Sequence, residues 1–330
     1  MKRYHIYGLG AALVDTEIDV QDHELEQMGV EKGLMTLVDE ARQAELLQHL
    51  EGHLIHSKRA SGGSACNSII AASYFGAKTF YSCKVANDEN GDFYLNDLKA
   101  AGVDANLDSA QQAGTTGKCL VMISPDAERS MNTFLGISET LAEQQLHPEA
   151  ISQSEYLYFE GYLVTSPTGR AAAIAAKTLA EQQGVKTAIS LSDPGMVEFF
   201  KEGLNEMIGD GVDLLFCNEA EAKGWAGCDS IDEAISALRG VAKTFAITLG
   251  AEGALVCDKE RCFEIPAHPV TAVDSNGAGD MFAGAFLYAI THGYDIEAAG
   301  KLASLAASKI VGSYGPRLAP AEHQQLLNSL

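Results

Sequence analysis

Short apolar runs alternate with helical patterns along most of this 330-residue chain. Runs such as 186–190 and 212–216 have the length of buried strands. The intervening stretch 167–183 has helical spacing, with Pro167 suited to a first turn and Gly184 to a C-terminal cap. Repeated strand–helix units of this kind predict an α/β fold, with a parallel sheet covered by helices on both faces.

Two stretches, 13–37 and 115–135, break the alternation because they read as strands and turns without helices. In the second stretch, Pro125-Asp126 separates two β-prone runs, which predicts a hairpin. We expect the two stretches to form a small sheet over the mouth of the α/β core, as a lid. The predicted organisation is a core of residues 1–12, 38–112 and 136–330, with a discontinuous β lid of residues 13–37 and 113–135.

The segment Asp274-Ser275-Asn276-Gly277-Ala278-Gly279-Asp280 follows an extended run and precedes an apolar helical stretch. Small residues in a first helical turn leave backbone N–H groups bare, and the helix dipole adds about half a positive charge there. Such a helix end suits the charge that develops on a transferring phosphoryl group. Asp280 follows one turn in, where a carboxylate can accept the proton of an attacking hydroxyl. The alternative is a Gly-rich helix start capped by an acid.

A second cluster, Ser61-Gly62-Gly63-Ser64-Ala65-Cys66-Asn67, also precedes a helical stretch. Paired glycines let a ligand approach the backbone closely, and Asn67 then offers both donor and acceptor groups to a diol. The alternative reading is an ordinary helix N-cap turn.

Two weaker motifs follow later in the chain. Thr248, Gly250 and Gly253 lie where one strand turns back into another, and alone they predict an ordinary glycine turn. Asn218 and Glu221 lie one turn apart at a helix start, which fits either a water-mediated Mg²⁺ site or a capping box.

Composition excludes several classes of function. The formal net charge of −22 at pH 7 is the opposite of the basic surface that nucleic-acid binding needs. No apolar run reaches 18 residues, so we expect no membrane span, and no GxxxxGK[S/T] motif occurs, which excludes a P-loop ATPase. The seven cysteines are odd in number and mostly lie in apolar runs, so we expect reduced thiols in a cytoplasmic protein. Cys257 and Cys262 are candidates to face each other across a hairpin.

Taken together and in this order, the motifs resemble the ribokinase-like (phosphofructokinase-B-type) family of sugar and nucleoside kinases. The resemblance covers essentially the whole chain, and the signature 274–280 departs from the family pattern only at Ser275, conservatively. It implies a three-layer core with a parallel sheet, a small β lid, and transfer of a phosphoryl group from ATP to a hydroxyl.

The resemblance also implies roles for single residues. Asp280 resembles the catalytic base, beside an anion hole of Gly277, Ala278 and Gly279, and Arg129 resembles the lid arginine that closes over the transferred phosphate. The residues matched to the acceptor side are Asp15, Gly62, Gly63 and Asn67, with Glu160 and Tyr162 at a strand end.

The implied cofactors are ATP and Mg²⁺. Many members also need a monovalent cation such as K⁺, near Asp274 and a late Gly-rich segment at about 313–317. The residues matched to the ATP side are Thr248, Gly250 and Gly253, with Asn218 and Glu221 as the phosphate and Mg²⁺ motif, Glu221 acting through water.

Several segments resemble the adenosine-kinase-like branch of the family, among them 62–68, 214–219 and the signature. One departure is Ala11, where an Asn near the nucleoside is common, so the base preference stays open. We expect a kinase for the 5′-hydroxyl of a nucleoside, most of all adenosine, acting as a monomer or homodimer on a small molecule. The alternatives are a ribose or ketose kinase, and a non-catalytic sensor, which the intact Asp280 disfavours. Tyr162 is a candidate for stacking on the base, with core packing as its alternative.

Overall fold

The computed structural model describes residues 2–53, 58–105, 111–126 and 128–329. Strands and helices alternate over most of this part of the chain. The strands are β1 (Tyr4–Leu9), β2 (Leu13–Asp19), β3 (Met35–Leu37), β4 (Lys58–Gly62), β5 (Thr79–Ser82), β6 (Val85–Ala86), β7 (Asp104–Ala105), β8 (Gln111–Gln112), β9 (Thr116–Ile123), β10 (Arg129–Gly136), β11 (Ser154–Glu160), β12 (Lys186–Ser190), β13 (Val212–Asn218), β14 (Ala242–Thr248), β15 (Ala254–Cys257) and β16 (Cys262–Ile265).

Side chains with capping ability start many of the helices. Asp39 accepts the backbone N–H of Arg42 at 2.7 Å, and Ser166 and Asp295 cap two later helices in the same way. The α-helices are α1 (Asp22–Met28), α2 (Glu40–His49), α3 (Ser64–Phe75), α4 (Glu89–Ala100), α5 (Pro148–Ser152), α6 (Pro167–Gln182), α7 (Pro194–Phe199), α8 (Lys201–Ile208), α9 (Glu219–Ala226), α10 (Ile231–Leu238), α11 (Ala278–Thr291), α12 (Ile296–Val311) and α13 (Pro320–Leu327).

A large sheet forms the middle layer. Its strand order in the described residues is β16-β15-β14-β13-β12-β11-β1-β5-β7, parallel except at β15 and β16. One face packs against α3, α11 and α12, where Ile69, Phe286 and Leu302 are fully buried. The other face packs against α6 and α8, where Ala173 and Leu204 are fully buried. Parallel strands bring their carboxyl ends to one edge, so the residues that follow β1 and β11–β14 meet there.

A small sheet, of order β3-β10-β9-β2-β4, lies beside that edge. β9 and β10 form the predicted antiparallel hairpin, with Ser130 opposite Met122. The small sheet also includes β4, and α2 packs on it through Leu46, although residues 38–112 were assigned to the core. The expectation that residues 13–37 contain no helix is wrong. Helix α1 lies there, and its seven residues are too few to produce a clear helical period.

Two cysteines also differ from expectation. The register of β15 and β16 places Cys257 directly opposite Cys262, and the two form a disulfide, so the prediction of reduced thiols is wrong for this pair. Cys66, Cys83 and Cys119 are buried free thiols. Within the described residues, no helix has the length and apolar character needed to span a bilayer.

Candidate active site

A cavity of about 390 Å³ lies between the carboxyl edge of the large sheet and the small sheet. Its lining includes Asp15 and Arg129 of the small sheet, and Asn67, Glu221 and Asp280 of the large layer. A larger hollow of about 610 Å³ lies at the opposite edge, where β12, β13 and β14 begin, and none of the predicted site residues line it. The first cavity is therefore the candidate active site.

The predicted anion hole is a real helix start. Gly277 precedes α11 with a φ of 75°, and a Cβ there would lie 2.7 Å from the carbonyl oxygen of Pro316, so glycine is required. Asp280, in the first turn, accepts a hydrogen bond from Ser64 Oγ at 2.6 Å and another from Asn67 Nδ2 at 3.1 Å. Burial raises the pKa of Asp280, although these two donors and the charge of Arg129 partly oppose the rise. Ser64 was missed as a site residue, and its place directly after Gly63 was the available signal.

Asp15 reaches the cavity from β2. A Cβ at Gly62, on the neighbouring strand, would lie 2.0 Å from the Asp15 carboxylate, so Gly62 makes room for this acid. Burial, and then the nearby charge of Glu17, raise the pKa of Asp15 to about 8, while Arg317 and Arg129 lower it. The predicted acceptor residues Asp15 and Asn67 thus lie in one cavity but come from different layers.

Glu160 has a supporting position. Its two carboxylate oxygens accept the backbone N–H groups of Ala11 and Ala65, each at 2.7 Å. Burial raises its pKa to about 7, against the lowering effect of these two hydrogen bonds. Glu160 therefore connects the segment just before β2 to the first turn of α3. Tyr162 lines the cavity beyond it, and its ring also packs against the apolar cluster under α6 and α8.

On the predicted ATP side, Asn218 and Glu221 form a capping box for α9. Glu221 N donates to Asn218 Oδ1 at 2.8 Å, and Asn218 N donates to Glu221 Oε2 at 3.2 Å. Burial, and then the nearby charge of Asp193, raise the pKa of Glu221 to about 8, although hydrogen bonds from Asn218 and the charge of Arg129 oppose the rise. The two readings of this motif are compatible, because the capped acid still lines the cavity.

The glycine turn after β14 contributes mainly through its shape. Thr248 lines the cavity, whereas Gly250 and Gly253 lie behind it in the turn, with φ values of 58° and 101°. A Cβ at Gly253 would lie 2.1 Å from the carbonyl oxygen of Ile265, so no larger residue fits. Thr248 is thus the member of this motif placed for ligand contact.

The structure also places Asp274 against the late segment 313–317. Its Oδ1 accepts the N–H of Asn276 at 2.8 Å, and its Oδ2 accepts the N–H of Gly315 at 3.0 Å. Asp274 is fully buried, so these bonds compensate its carboxylate and hold the segment beside the signature. A monovalent cation at this position stays a prediction.

Arg129, at the start of β10, is the only basic residue among the described residues that line the cavity. Its guanidinium donates to Asn276 Oδ1 at 3.2 Å, which aims it toward the signature. The acidic residues of the lining are Asp15, Glu128, Glu160, Asp193, Glu221 and Asp280. An anionic ligand here therefore depends on Arg129, backbone N–H groups and any bound cation.

The raised pKa of Asp15 predicts a pH-dependent stability. Its pKa in the folded protein, about 8, lies above the ordinary value of 3.8, so the fold favours the protonated acid. This contribution to stability is complete below pH ~4 and is lost as the pH rises through ~8. In the protein without ligand, we expect Asp15→Asn to increase the free energy of unfolding at pH 9 by roughly 3–4 kcal/mol relative to its effect at pH 5, because the contribution is lost over about three pH units. Urea unfolding at both pH values measures this, with Asp19→Asn at the exposed end of β2 as control. Equal pH dependence in Asp15→Asn and the unmodified protein would contradict the assignment.

With this geometry in hand, comparisons with known proteins are informative. The pfkB family of carbohydrate kinases matches residues 35–323. The adenosine kinase of Schizophyllum commune is 27% identical over 343 residues, which cover 94% of this chain and 96% of that protein. Mouse ribokinase is 28% identical over 242 residues, which cover 70% of this chain and 71% of that protein.

Solved structures agree. The adenosine kinase from Sinorhizobium meliloti superposes with a TM-score of 0.92 at 32% identity, covering 99% of this chain and 100% of that one. A probable sugar kinase from Rhizobium etli CFN 42 gives 0.93 at 30% identity, covering both chains completely. The predicted ribokinase-like fold is thereby confirmed. The chain belongs to the pfkB family of carbohydrate kinases and is a phosphotransferase that acts on a nucleoside or a sugar.

Proposed function

We propose that this enzyme transfers the γ-phosphoryl group of ATP to the 5′-hydroxyl of a nucleoside, with adenosine as the preferred acceptor. The observation that carries the proposal is the position of Asp280. Its carboxylate lies in the first turn of α11, is held by Ser64 and Asn67, and faces the cavity that also contains Asp15 and Tyr162. One carboxylate can therefore reach the acceptor hydroxyl and lie beside the N–H groups that receive the phosphoryl group.

In the proposed reaction, the hydroxyl oxygen attacks the γ-phosphorus while its proton passes to Asp280. The bond from phosphorus to the β,γ-bridging oxygen breaks, and ADP leaves. The raised pKa of Asp280 makes it a better proton acceptor than an ordinary exposed aspartate. The N–H groups from Gly277 to Gly279 and the guanidinium of Arg129 stabilise the charge on the phosphoryl oxygens, so positioning and electrostatics supply most of the rate.

Kinases of this family use ATP and typically Mg²⁺. The residues of this chain fit a divalent cation held through water, because the neighbouring acids Glu221 and Asp193 both line the cavity. Burial and the charge of Asp193 raise the pKa of Glu221, and a bound cation would favour its ionised form. Glu221 would hold the cation through water, and a bound Mg²⁺ would neutralise phosphate oxygens of ATP.

The nucleoside assignment has two supports. The adenosine kinases of Schizophyllum commune and Saccharomyces cerevisiae align with 94% and 93% of this chain, whereas mouse ribokinase aligns with 70%. In addition, Tyr162 lines the same cavity as Asp15 and Asn67, and its ring offers an apolar surface for a base.

A sugar kinase is the second candidate. The likeness to the Rhizobium etli probable sugar kinase covers the whole chain. In addition, Ala11 has no polar side chain, and its backbone N–H and carbonyl are already bonded to Glu160 and Tyr81. The ribose contacts at Asp15 and Asn67 serve both candidates, so only the base side separates them.

We expect adenosine to exceed ribose and fructose in kcat/KM by at least about tenfold. An aromatic contact contributes roughly 0.5–1.5 kcal/mol beyond the area buried, and a bare sugar lacks it. A competition assay with equal adenosine and ribose, with products separated by chromatography, measures the ratio. Tyr162→Leu should lower kcat/KM for adenosine and leave that for ribose within about twofold. Preferential formation of ribose 5-phosphate would overturn the nucleoside proposal and leave the kinase assignment intact.

A further inference from the structure

Arg317, beyond the end of α12, makes three hydrogen bonds to three different elements. Its guanidinium donates to Asp97 of α4 at 2.7 Å, to Ser61 Oγ of β4 at 2.8 Å and to Asn67 Oδ1 of α3 at 3.4 Å. The Asp97 carboxylate also accepts hydrogen bonds from the hydroxyl and the backbone N–H of Ser61. The side chain of Arg317 is only 13% exposed, so this charge is committed to the network and not to solvent.

This network fixes the orientation of the Asn67 amide. A guanidinium is only a donor, so Asn67 must turn its oxygen toward Arg317 and its NH₂ group toward the opposite side. On that side, Asn67 Nδ2 donates to Asp280 Oδ2 at 3.1 Å. The route from Arg317 to the Asp280 carboxylate therefore runs through a single side chain.

The two residues before Arg317, Gly315 and Pro316, contact the signature segment 274–280. Gly315 N donates to Asp274 Oδ2 at 3.0 Å, and the Pro316 carbonyl oxygen lies only 2.7 Å from the position that a Cβ of Gly277 would take. Residues 315–317 thus contact the beginning of the signature at Asp274, the predicted anion hole at Gly277, and the segment 61–67. Arg317 itself does not line the cavity.

We propose that Arg317 is a positioning residue for phosphoryl transfer. It acts through Ser61 and Asn67 to hold residues 61–67 against helix α11, which bears Asp280. The inference rests on the proposed roles of Asn67 and Asp280. Lysine cannot replace Arg317, because one ammonium lacks the planar set of donors that reaches Asp97, Ser61 and Asn67 together.

The test compares the unmodified enzyme with Arg317→Ala and Arg317→Lys, using ATP and the best substrate of an acceptor panel. We expect kcat/KM for the acceptor to fall about 10–100-fold in both variants, as for a small misplacement of reacting groups. The KM for ATP should stay within about twofold. Added guanidinium at millimolar concentration should increase the activity of Arg317→Ala at least fivefold over its activity without guanidinium. Arg170→Ala is the matched control, since Arg170 pairs with Glu206 on helices away from the cavity.

A pH profile provides a second readout. Asp15 interacts with Glu17 on its own strand, with Arg129 on β10, with Asp280 on α11 and with Arg317. Removing the charge of Arg317 should move the pH dependence of the acceptor KM to higher pH, and guanidinium should reverse the shift.

Three outcomes would overturn the proposal. These are an unchanged kcat/KM for the acceptor, equal losses toward ATP and acceptor without guanidinium rescue, and unfolding of Arg317→Lys and Asp97→Asn alike, which would show a purely structural role. A panel in which only sugars are phosphorylated would refute the nucleoside assignment alone, since the Arg317 comparison would proceed with that sugar.

Discussion

Replacing Asp280 by asparagine is expected to lower kcat by about 10²–10⁴-fold, the usual cost of losing a general base. The amide keeps the size of the carboxylate. Its oxygen can accept the hydrogen bond from Asn67 Nδ2 while its NH₂ group donates to Ser64 Oγ, so the fold and the ATP site should be preserved. Initial rates of ADP release measure the loss, and calorimetric titration with ATP should give a Kd within about threefold of the unmodified enzyme.

Asp232→Asn is a suitable control for this experiment, because Asp232 also lies in the first turn of a helix, α10, but is exposed and does not line the cavity. It should turn over at the normal rate. Turnover at the normal rate by purified Asp280→Asn would refute the assignment of the base, and with it the proposed reaction.

Arg129→Ala is expected to lower kcat by about 10²–10³-fold, as for the loss of one donor that faces charge developing in the transition state. The reason is the scarcity of positive side chains, since Arg129 is the only basic residue among the described residues of the lining. The KM values for ATP and adenosine should change much less, because the additional phosphoryl charge exists mainly during transfer.

Steady-state rates over a matrix of ATP and adenosine concentrations separate these effects. Arg129→Lys is the matched variant, and we expect it to recover part of kcat, because it keeps the charge but loses the hydrogen bond to Asn276. If the effect of Arg129→Ala appeared only in the KM for adenosine, Arg129 would be an acceptor contact and its assignment to the phosphoryl group would be wrong.

The elements predicted most accurately carry local signals at their ends. Helix α6 spans Pro167–Gln182, within one residue of its predicted range of 167–183, and β12 has its predicted limits. The motifs Asp274–Asp280 and Gly62–Asn67 could also be recognised from the sequence. Close packing requires glycine at a few of their positions, and this requirement leaves a pattern in the sequence.

The remainder depends on contacts between distant parts of the chain. Arg317 is 250 residues from Asn67, and no local pattern distinguishes it from an exposed arginine. Glu160 lies in the same cavity as the other residues predicted for the acceptor side, but only the fold shows that backbone N–H groups occupy both its oxygens. The boundary of the small layer was similarly hidden, since β4 joins β2 by pairing that spans more than 40 residues.

The division of the proposed acceptor residues between the small sheet and the helices of the core has a consequence for inhibitors. Asp15 belongs to the small sheet, whereas Asn67 and Asp280 belong to helices of the large layer. If both layers bind one acceptor, a nucleoside analogue that keeps the ribose diol but lacks the reacting hydroxyl would contact both layers without being phosphorylated. Such an analogue would hold the small sheet and the helices of the core together around the bound ligand. An analogue that lacks the diol would leave the layers independent, and it would be a poor inhibitor even with an ideal base.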